Sequence, residues 1–192
     1  MKKFLATIFL TSLLLTGCGG SSTVIDVTSS NSETPRYVTY KTSDFNIDVP
    51  DTWETLNDFT DDYPSGLRIA FKNNVQNTSF TANVTVVREE NAKKLTSADY
   101  TQTKLQNHDD HLLNYELISQ EELTLTVAGA DSATILNIFA GKNTTEGPTL
   151  NFMQLVLCKA DRAWVVTASY RPDEEDATVE QMETMLNSFA VR

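Results

Sequence analysis

Apolar and polar residues alternate along much of the chain beyond residue 35, a pattern that predicts β-strands with one buried face. The alternation is clearest in Phe45-Asn46-Ile47-Asp48-Val49 and again between Phe80 and Val87. Strands are predicted at 37–40, 45–49, 67–71, 80–87, 117–127, 131–139, 150–157 and 163–170. Because short turns join most of these segments, we expect antiparallel pairing in a sheet.

Two segments have the periodicity of amphipathic helices. The first spans 95–113, with Thr96 as its predicted N-cap and Asp99 placed where a carboxylate complements the helix dipole. Its apolar stripe recurs at seven-residue steps, at Ala98, Leu105 and Leu112. The second follows an acidic segment at 173–176, and its apolar face holds Val179, Met182, Met185, Leu186 and Phe189. The order strands, helix, strands, helix predicts an α+β domain in which helices flank an antiparallel sheet.

The first residues of the chain have the pattern of a bacterial export signal. Lys2 and Lys3 precede an apolar run of 12 residues from Phe4 to Leu15. A helix of that length rises about 18 Å, which is too short for the roughly 30 Å hydrocarbon core of a bilayer. We therefore interpret the run as a signal peptide and not as a membrane span.

The four residues that end this segment, Leu15-Thr16-Gly17-Cys18, resemble a lipobox, the processing site of bacterial lipoproteins. The resemblance implies cleavage before Cys18 and acylation of its thiol, and two or more acyl chains hold a protein stably on a membrane. A secretory signal that happens to end near a cysteine is the alternative. This interpretation divides the chain into a signal peptide at 1–17, a lipidated cysteine and polar tether at 18–35, and one globular domain at 36–192.

The part of the chain after the predicted cleavage point is strongly acidic. Without Lys2 and Lys3 it keeps 13 basic and 26 acidic residues, a formal charge of −13. Non-specific nucleic-acid binding requires Lys and Arg to neutralise phosphates, so this charge argues against a nucleic-acid partner. It also argues against electrostatic attachment to anionic lipid, which leaves the acyl chains as the predicted membrane contact.

Several stretches of the domain resemble the PsbP/DcrB-like superfamily. Phe45-x-Ile47-x-Val49-Pro50-x-x-Trp53 is similar to its opening strand and turn. Trp164-Val165-Val166-Thr167-Ala168-Ser169 and the later Leu186-Asn187-Ser188-Phe189 are similar to its closing strand and helix. Gly129, ahead of the predicted strand at 131–139, fits the turn before its central strands. The resemblance covers about 36–192.

This resemblance implies an α/β/α sandwich in which an antiparallel sheet lies between helices. It also implies a protein-binding role, because members of the family are mostly non-enzymatic assembly factors, extrinsic subunits and accessory lipoproteins. It supplies no shared catalytic motif. Pro50 and Trp53 are carried over as structural residues only, the proline ending the strand and the indole covering the core.

Two polar clusters are candidates for metal binding. His108 and His111 lie three residues apart on the predicted first helix, a spacing at which two imidazoles can share a metal ion. Two ligands from one helix are too few for a site, so a solvated helix face is the favoured alternative. Asp58, Asp61 and Asp62 form an oxygen-rich loop that suits calcium, although their spacing matches no EF-hand. For this loop too, a solvated surface is the favoured interpretation.

Phe59 and Tyr63, in the same loop, are candidates for a partner-binding lip, because exposed aromatic side chains anchor protein interfaces. Cys158 follows the apolar run Leu155-Val156-Leu157, so we interpret it as a packing residue and not as a nucleophile. With Cys18 assigned to lipid, Cys158 has no partner for an intramolecular disulfide.

The chain carries none of the common catalytic signatures, such as Gly-x-Ser-x-Gly, His-Glu-x-x-His, Cys-x-x-Cys or a glycine-rich phosphate loop. We therefore expect a non-enzymatic lipoprotein, anchored through Cys18, whose domain faces the periplasm or the cell exterior. We expect that domain to bind or help assemble a protein of the envelope, without a cofactor. A lipoprotein that binds a small ligand or a divalent metal is the alternative. An envelope hydrolase has no positive support.

Overall fold

The computed structural model describes residues 35–60, 63–74, 80–108 and 110–192. Within these ranges the chain forms ten strands and two helices. In chain order they are β1 Tyr37–Lys41, β2 Phe45–Pro50, β3 Glu54–Leu56, β4 Leu67–Lys72, β5 Asn83–Glu90, α1 Ser97–Leu105, β6 Leu113–Val127, β7 Ala130–Lys142, β8 Leu150–Lys159, β9 Arg162–Tyr170, α2 Asp176–Ser188 and β10 Ala190–Val191. Neither of these helices is long and apolar enough to cross a bilayer. The predicted signal peptide, Cys18 and the tether as far as residue 34 lie outside the described residues.

These strands form one sheet in the order β1-β2-β10-β6-β7-β8-β9-β5-β4-β3. Every neighbouring pair is antiparallel except β10 and β6, which run parallel. The predicted α+β class, an antiparallel sheet with flanking helices, is confirmed. All eight predicted strands form, with boundaries shifted by a few residues. β3 and β10 span three and two residues, too few for an alternating pattern to reveal them in the sequence.

The buried residues of β8 divide the core between the two faces of the sheet. Met153, Leu155 and Leu157 pack in one cluster with the apolar side of α2. Val156 points to the other face, where it packs beside Tyr100 of α1. The two helices therefore cover opposite faces, as an α/β/α sandwich requires, and the apolar stripe predicted for α2 is its buried side.

α1 is shorter than the sequence periodicity predicted. The predicted helix over 95–113 is wrong beyond Leu105, because the described residues between Leu105 and the start of β6 form turns. The residues that follow are rich in Asn, Asp and His, and short polar side chains of this kind compete for backbone hydrogen bonds and favour turns. The amide of Leu112 donates to the carbonyl of His108 at 2.9 Å. Leu112 lies beyond the helix and packs in a separate cluster with Phe139. The seven-residue spacing between Leu105 and Leu112 therefore does not reflect one apolar stripe of a helix.

The N-terminus of α1 is capped as predicted. Thr96 has an extended backbone conformation, and its Oγ1 accepts a hydrogen bond from the amide of Asp99 at 3.2 Å. The same hydroxyl donates to the Asp99 carboxylate at 2.7 Å. This reciprocal arrangement provides an acceptor for one of the first-turn N–H groups, which have no acceptor within the helix. It also places a negative charge where the helix dipole favours it.

Pro50 and Trp53 have the structural roles that the family resemblance implied. β2 ends at the buried Pro50. The Trp53 side chain is only 6% exposed and belongs to the same cluster as α2. Its Nε1 donates to Gln181 Oε1 at 2.7 Å. Trp53 therefore joins the turn after β2 to the helix that covers it.

We expect Thr96→Ala to lower the free energy of unfolding by about 0.5–2 kcal/mol, the usual effect of losing an N-cap hydroxyl. Urea denaturation followed by circular dichroism measures the loss. Thr103→Ala is the matched control, because Thr103 is exposed within the same helix and alanine favours helical conformation. Equal destabilisation by the two variants would contradict the capping role.

Candidate functional site

His108 lies in a cluster of rings on the face of the sheet that α1 covers. The ring cluster consists of His108, Tyr115, Phe139 and Phe152. The His108 ring stacks on Phe139, with centroids 4.5 Å apart and 27° between the planes, and Phe139 stacks on Phe152 at 5.1 Å. The ring centroids of Tyr115 and Phe139 are 5.8 Å apart. The expectation of a solvated helix face is therefore wrong for His108, which is a half-buried packing residue beyond the helix end.

A row of polar side chains crosses the sheet beside the ring cluster. The polar row consists of Gln120, Asn137, Gln154 and Thr167, which are in direct register across β6, β7, β8 and β9. Gln120 Nε2 donates to Asn137 Oδ1 at 2.8 Å, and Gln154 Nε2 donates to Thr167 Oγ1 at 2.9 Å. Gln154 Oε1 lies 3.1 Å from His108 Nε2. The fully buried Asn137 has no hydrogen-bond partner for its Nδ2 among the described residues.

The two histidines are not arranged as the metal hypothesis assumed. His108 and His111 both follow the end of α1, so helical spacing does not place them side by side. His108 contacts the polar row, whereas His111 is exposed. Across the described ranges, no three His, Cys, Asp or Glu side chains are grouped so that they could hold a metal ion. Of the calcium candidates, Asp58 is exposed, and Asp61 and Asp62 lie outside the described residues.

Cys158 is half-buried and has the environment of an unreactive thiol. It packs beside Val156 and Tyr100, and its amide donates to Ser97 Oγ at 3.0 Å. Burial, with a smaller contribution from the negative charge of Glu89, raises the pKa of the thiol to about 12. Because a nucleophilic cysteine needs a lowered pKa, these contacts support its interpretation as a packing residue.

Glu89 of β5 joins α1 to the sheet. Tyr100 Oη donates to Glu89 Oε2 at 2.8 Å, and Lys104 Nζ forms an ion pair with Glu89 Oε1 at 2.7 Å. Burial, followed by the hydrogen bond to Glu89, raises the pKa of Tyr100 well above its ordinary value. The contacts hold the helix in place, and the turns that follow it bring His108 over the polar row.

Phe59 and Tyr63 contact each other in the loop between β3 and β4, with ring centroids 5.3 Å apart. Phe59 is half-buried, and Tyr63 is 42% exposed. The structure thus brings the two predicted residues together. Their part in binding a partner stays a prediction.

The sequence analysis missed a group of exposed apolar side chains at the start of β6. Leu113, Leu117 and Ile118 are 47%, 40% and 52% exposed, and three carboxylates beside them are also exposed. The β6 surface consists of Leu113, Glu116, Leu117, Ile118, Glu121 and Glu122. A signal for it was available, because two consecutive apolar residues in an alternating strand cannot both face one core.

The β6 surface borders an unpaired strand edge. β10 pairs only with Thr126 and Val127 of β6, so within the described chain the outer edge of residues 113–125 faces no other strand. Two bulges interrupt the pairing of β6 with β7 before Ser119, and from there to Val127 the register is regular. Residues 116–122 are all exposed, which leaves this part of the edge open to solvent.

Neither a family model nor a curated protein sequence matches this chain. Among solved structures, it is similar to PsbP (CyanoP) of Synechocystis sp. PCC 6803, at 17% identity over 93% of this chain and 99% of that one, with a TM-score of 0.52. It is also similar to LpqN of Mycobacterium tuberculosis, at 12% identity over 82% of this chain and 91% of that one, with a TM-score of 0.50. At such low identity the likeness shows the fold alone, and that fold is PsbP-like.

We expect Gln154→Leu to lower the free energy of unfolding by about 1–3 kcal/mol, because it removes the donor to Thr167 Oγ1 and the contact with His108 Nε2 in a partly buried place. The double variant Gln154→Leu/Thr167→Val should recover part of this loss, because its second change removes the Thr167 hydroxyl that Gln154→Leu deprives of its donor. Urea denaturation measures both. A double variant that loses as much as the two single variants together would contradict a coupled polar row.

The raised pKa of Cys158 predicts slow alkylation. Because the thiolate is the nucleophile, a rise from an ordinary value near 8.5 lowers its fraction at about pH 8 by roughly 10³-fold. We therefore expect iodoacetamide to modify Cys158 far more slowly in the folded chain than in urea, at a rate that still rises above about pH 10. Peptide mass spectrometry separates Cys158 from Cys18. A rate that levels off near pH 9 would contradict the prediction.

Proposed function

We propose that this chain is a lipid-anchored, non-enzymatic protein of the bacterial envelope whose α+β domain binds another envelope protein. The β6 surface is the observation that carries the proposal. It holds three of the large apolar side chains that are exposed in the described domain, Leu113, Leu117 and Ile118. They are interspersed with carboxylates on one strand.

Grouped apolar side chains rimmed by polar ones are typical of protein interaction sites, whereas isolated ones are an ordinary surface feature. Full burial of one Leu or Ile side chain contributes about 1.5–3 kcal/mol relative to full exposure. Because the three on β6 are about half exposed, a partner that covered them would gain roughly half of that amount for each. This gain favours association with a protein surface over continued exposure to water.

The envelope location rests on the sequence and on one structural neighbour. Leu15-Thr16-Gly17-Cys18 supports lipid attachment, and the acidic charge of the domain favours contact with proteins over contact with anionic lipid. LpqN, which shares the fold, is a protein involved in cell envelope biogenesis. Both observations support a role at the membrane surface.

Photo-crosslinking in living cells tests this function. With a photoreactive amino acid in place of Ile118 in the full chain, we expect one recurrent crosslinked protein of the envelope, identified by mass spectrometry. Val38 is the matched control position, because it is 51% exposed but lies on β1 at one end of the sheet. Leu117→Ser should lower the crosslink yield several-fold.

The Cys18→Ser variant tests the anchor in the same cells. We expect it to leave the membrane fraction and to lose most of the crosslinked product. A well-expressed, folded chain that yields no recurrent partner from Ile118, or the same products from Ile118 and Val38, would refute the proposed function.

A further inference from the structure

We propose that the regular part of the β6 edge, residues 119–125, accepts an extended cationic segment of the partner as an added β-strand. This inference rests on the proposed function and makes it more specific, since it names the backbone that is recognised and the charge of the occupant. It does not use the ring cluster or Cys158.

The first step concerns backbone groups. Residues 119–125 pair in regular register with β7 on one side, whereas β10 reaches only Thr126 and Val127 on the other. At a strand edge every second residue directs its N–H and C=O outward, so about three residues of this segment offer both groups to a partner strand. Main-chain hydrogen bonds of this kind are the basis of strand addition.

The second step is that, among the described residues, no strand of the chain fills this place. β10 joins β2 and β6 at one end only, and it pairs with Phe45 and Asn46 of β2. Beyond that point, the amide of Asp48 donates to Ser188 Oγ at the end of α2, at 2.8 Å. At this position the end of α2, and not a strand, therefore contacts β2, and β10 does not extend between β2 and β6 before Ala190.

The third step concerns charge. Glu116, Glu121 and Glu122 are exposed, and within the described part of the chain none of them forms an ion pair. β6 contains no Lys or Arg, and the nearest base on its neighbour, Lys142, lies opposite Leu113 at the far end. Glu121 and Glu122 are consecutive in the strand and point to opposite faces of the sheet. A partner strand with basic residues on both of its faces therefore complements these carboxylates, and its apolar residues can contact the adjacent Leu117 and Ile118.

The same charges disfavour a second copy of this chain as the occupant. Antiparallel pairing of two β6 edges places Glu121 and Glu122 of one copy beside the acidic residues of the other, and like charges directly opposite destabilise a strand pair. The bulges before Ser119 also interrupt the edge, which protects the free protein from edge-to-edge aggregation. A cationic strand from another protein is therefore the occupant that fits.

A synthetic peptide tests the inference on the full chain, purified in mild detergent. The probe is a blocked peptide in which pairs of lysines alternate with pairs of valines, so that both faces of the extended strand carry positive charge. Its binding is followed by amide NMR shifts and hydrogen exchange. We expect protection of amides in 119–125. The same peptide with alternate amides N-methylated keeps its charge but loses edge donors, and it should bind at least about tenfold more weakly.

Charge reversal separates specific docking from general attraction. Glu121→Lys/Glu122→Lys should weaken binding at least about tenfold. Glu180→Lys/Glu183→Lys, on the exposed side of α2, changes the net charge equally and should leave binding unchanged. Circular dichroism confirms that each variant is folded.

Any one of four results would overturn the inference. Equal binding of the N-methylated peptide would show attraction without strand addition, and equal weakening by both charge reversals would show non-specific binding. Concentration-dependent dimerisation blocked by the β6 variant would make a second copy the occupant. If the Ile118 crosslink persists while the peptide fails, the proposed function stands without strand addition; if the crosslink itself is absent, the proposed function fails.

Discussion

The burial of β8 on both of its faces is the constraint from which most of this architecture follows. Every residue from Phe152 to Leu157 is buried, and a strand with two buried faces needs a covering layer on each side. α2 supplies one layer through its apolar stripe, and α1 supplies the other through Tyr100. Because β8 and β9 lie near the middle of the strand order, the two helices protect the centre of the sheet and leave other parts of it exposed.

A strand buried in this way does not tolerate an unpaired polar side chain, yet Gln154 lies in the middle of β8. The polar row resolves this conflict, because its donors and acceptors meet only in the native register. Sliding one strand by a residue would separate these pairs and turn polar groups to the opposite face. His108 completes the arrangement from the turn after α1. The histidine that suggested a metal site is thus part of the packing that aligns the strands. Asn137 Nδ2, in the same row, has no hydrogen-bond partner among the described residues.

The proposed function arises where this covering stops. α1 ends at Leu105 and β10 is only two residues long, so the first part of β6 has exposed faces and an open edge. Apolar side chains and carboxylates share that surface, which suits a partner that offers both apolar contact and positive charge. If Cys18 carries lipid, the anchor and the β6 surface have separate tasks. In the proposed function the lipid sets the location, and the β6 strand selects the partner.

The sequence by itself determined the features that depend on neighbouring residues. Local patterns of apolar and polar residues placed eight strands, the apolar stripe placed α2, and Thr96 marked the start of α1, because such patterns and capping are local properties. It also carried Leu15-Thr16-Gly17-Cys18, which resembles a lipobox and lies outside the described residues. Only the tertiary structure decided where α1 ends, that β10 joins β2 to β6, which polar residues form a row, and that the β6 edge stays open. These features arise from contacts between residues far apart in the chain, and such contacts leave no periodic signal near either partner.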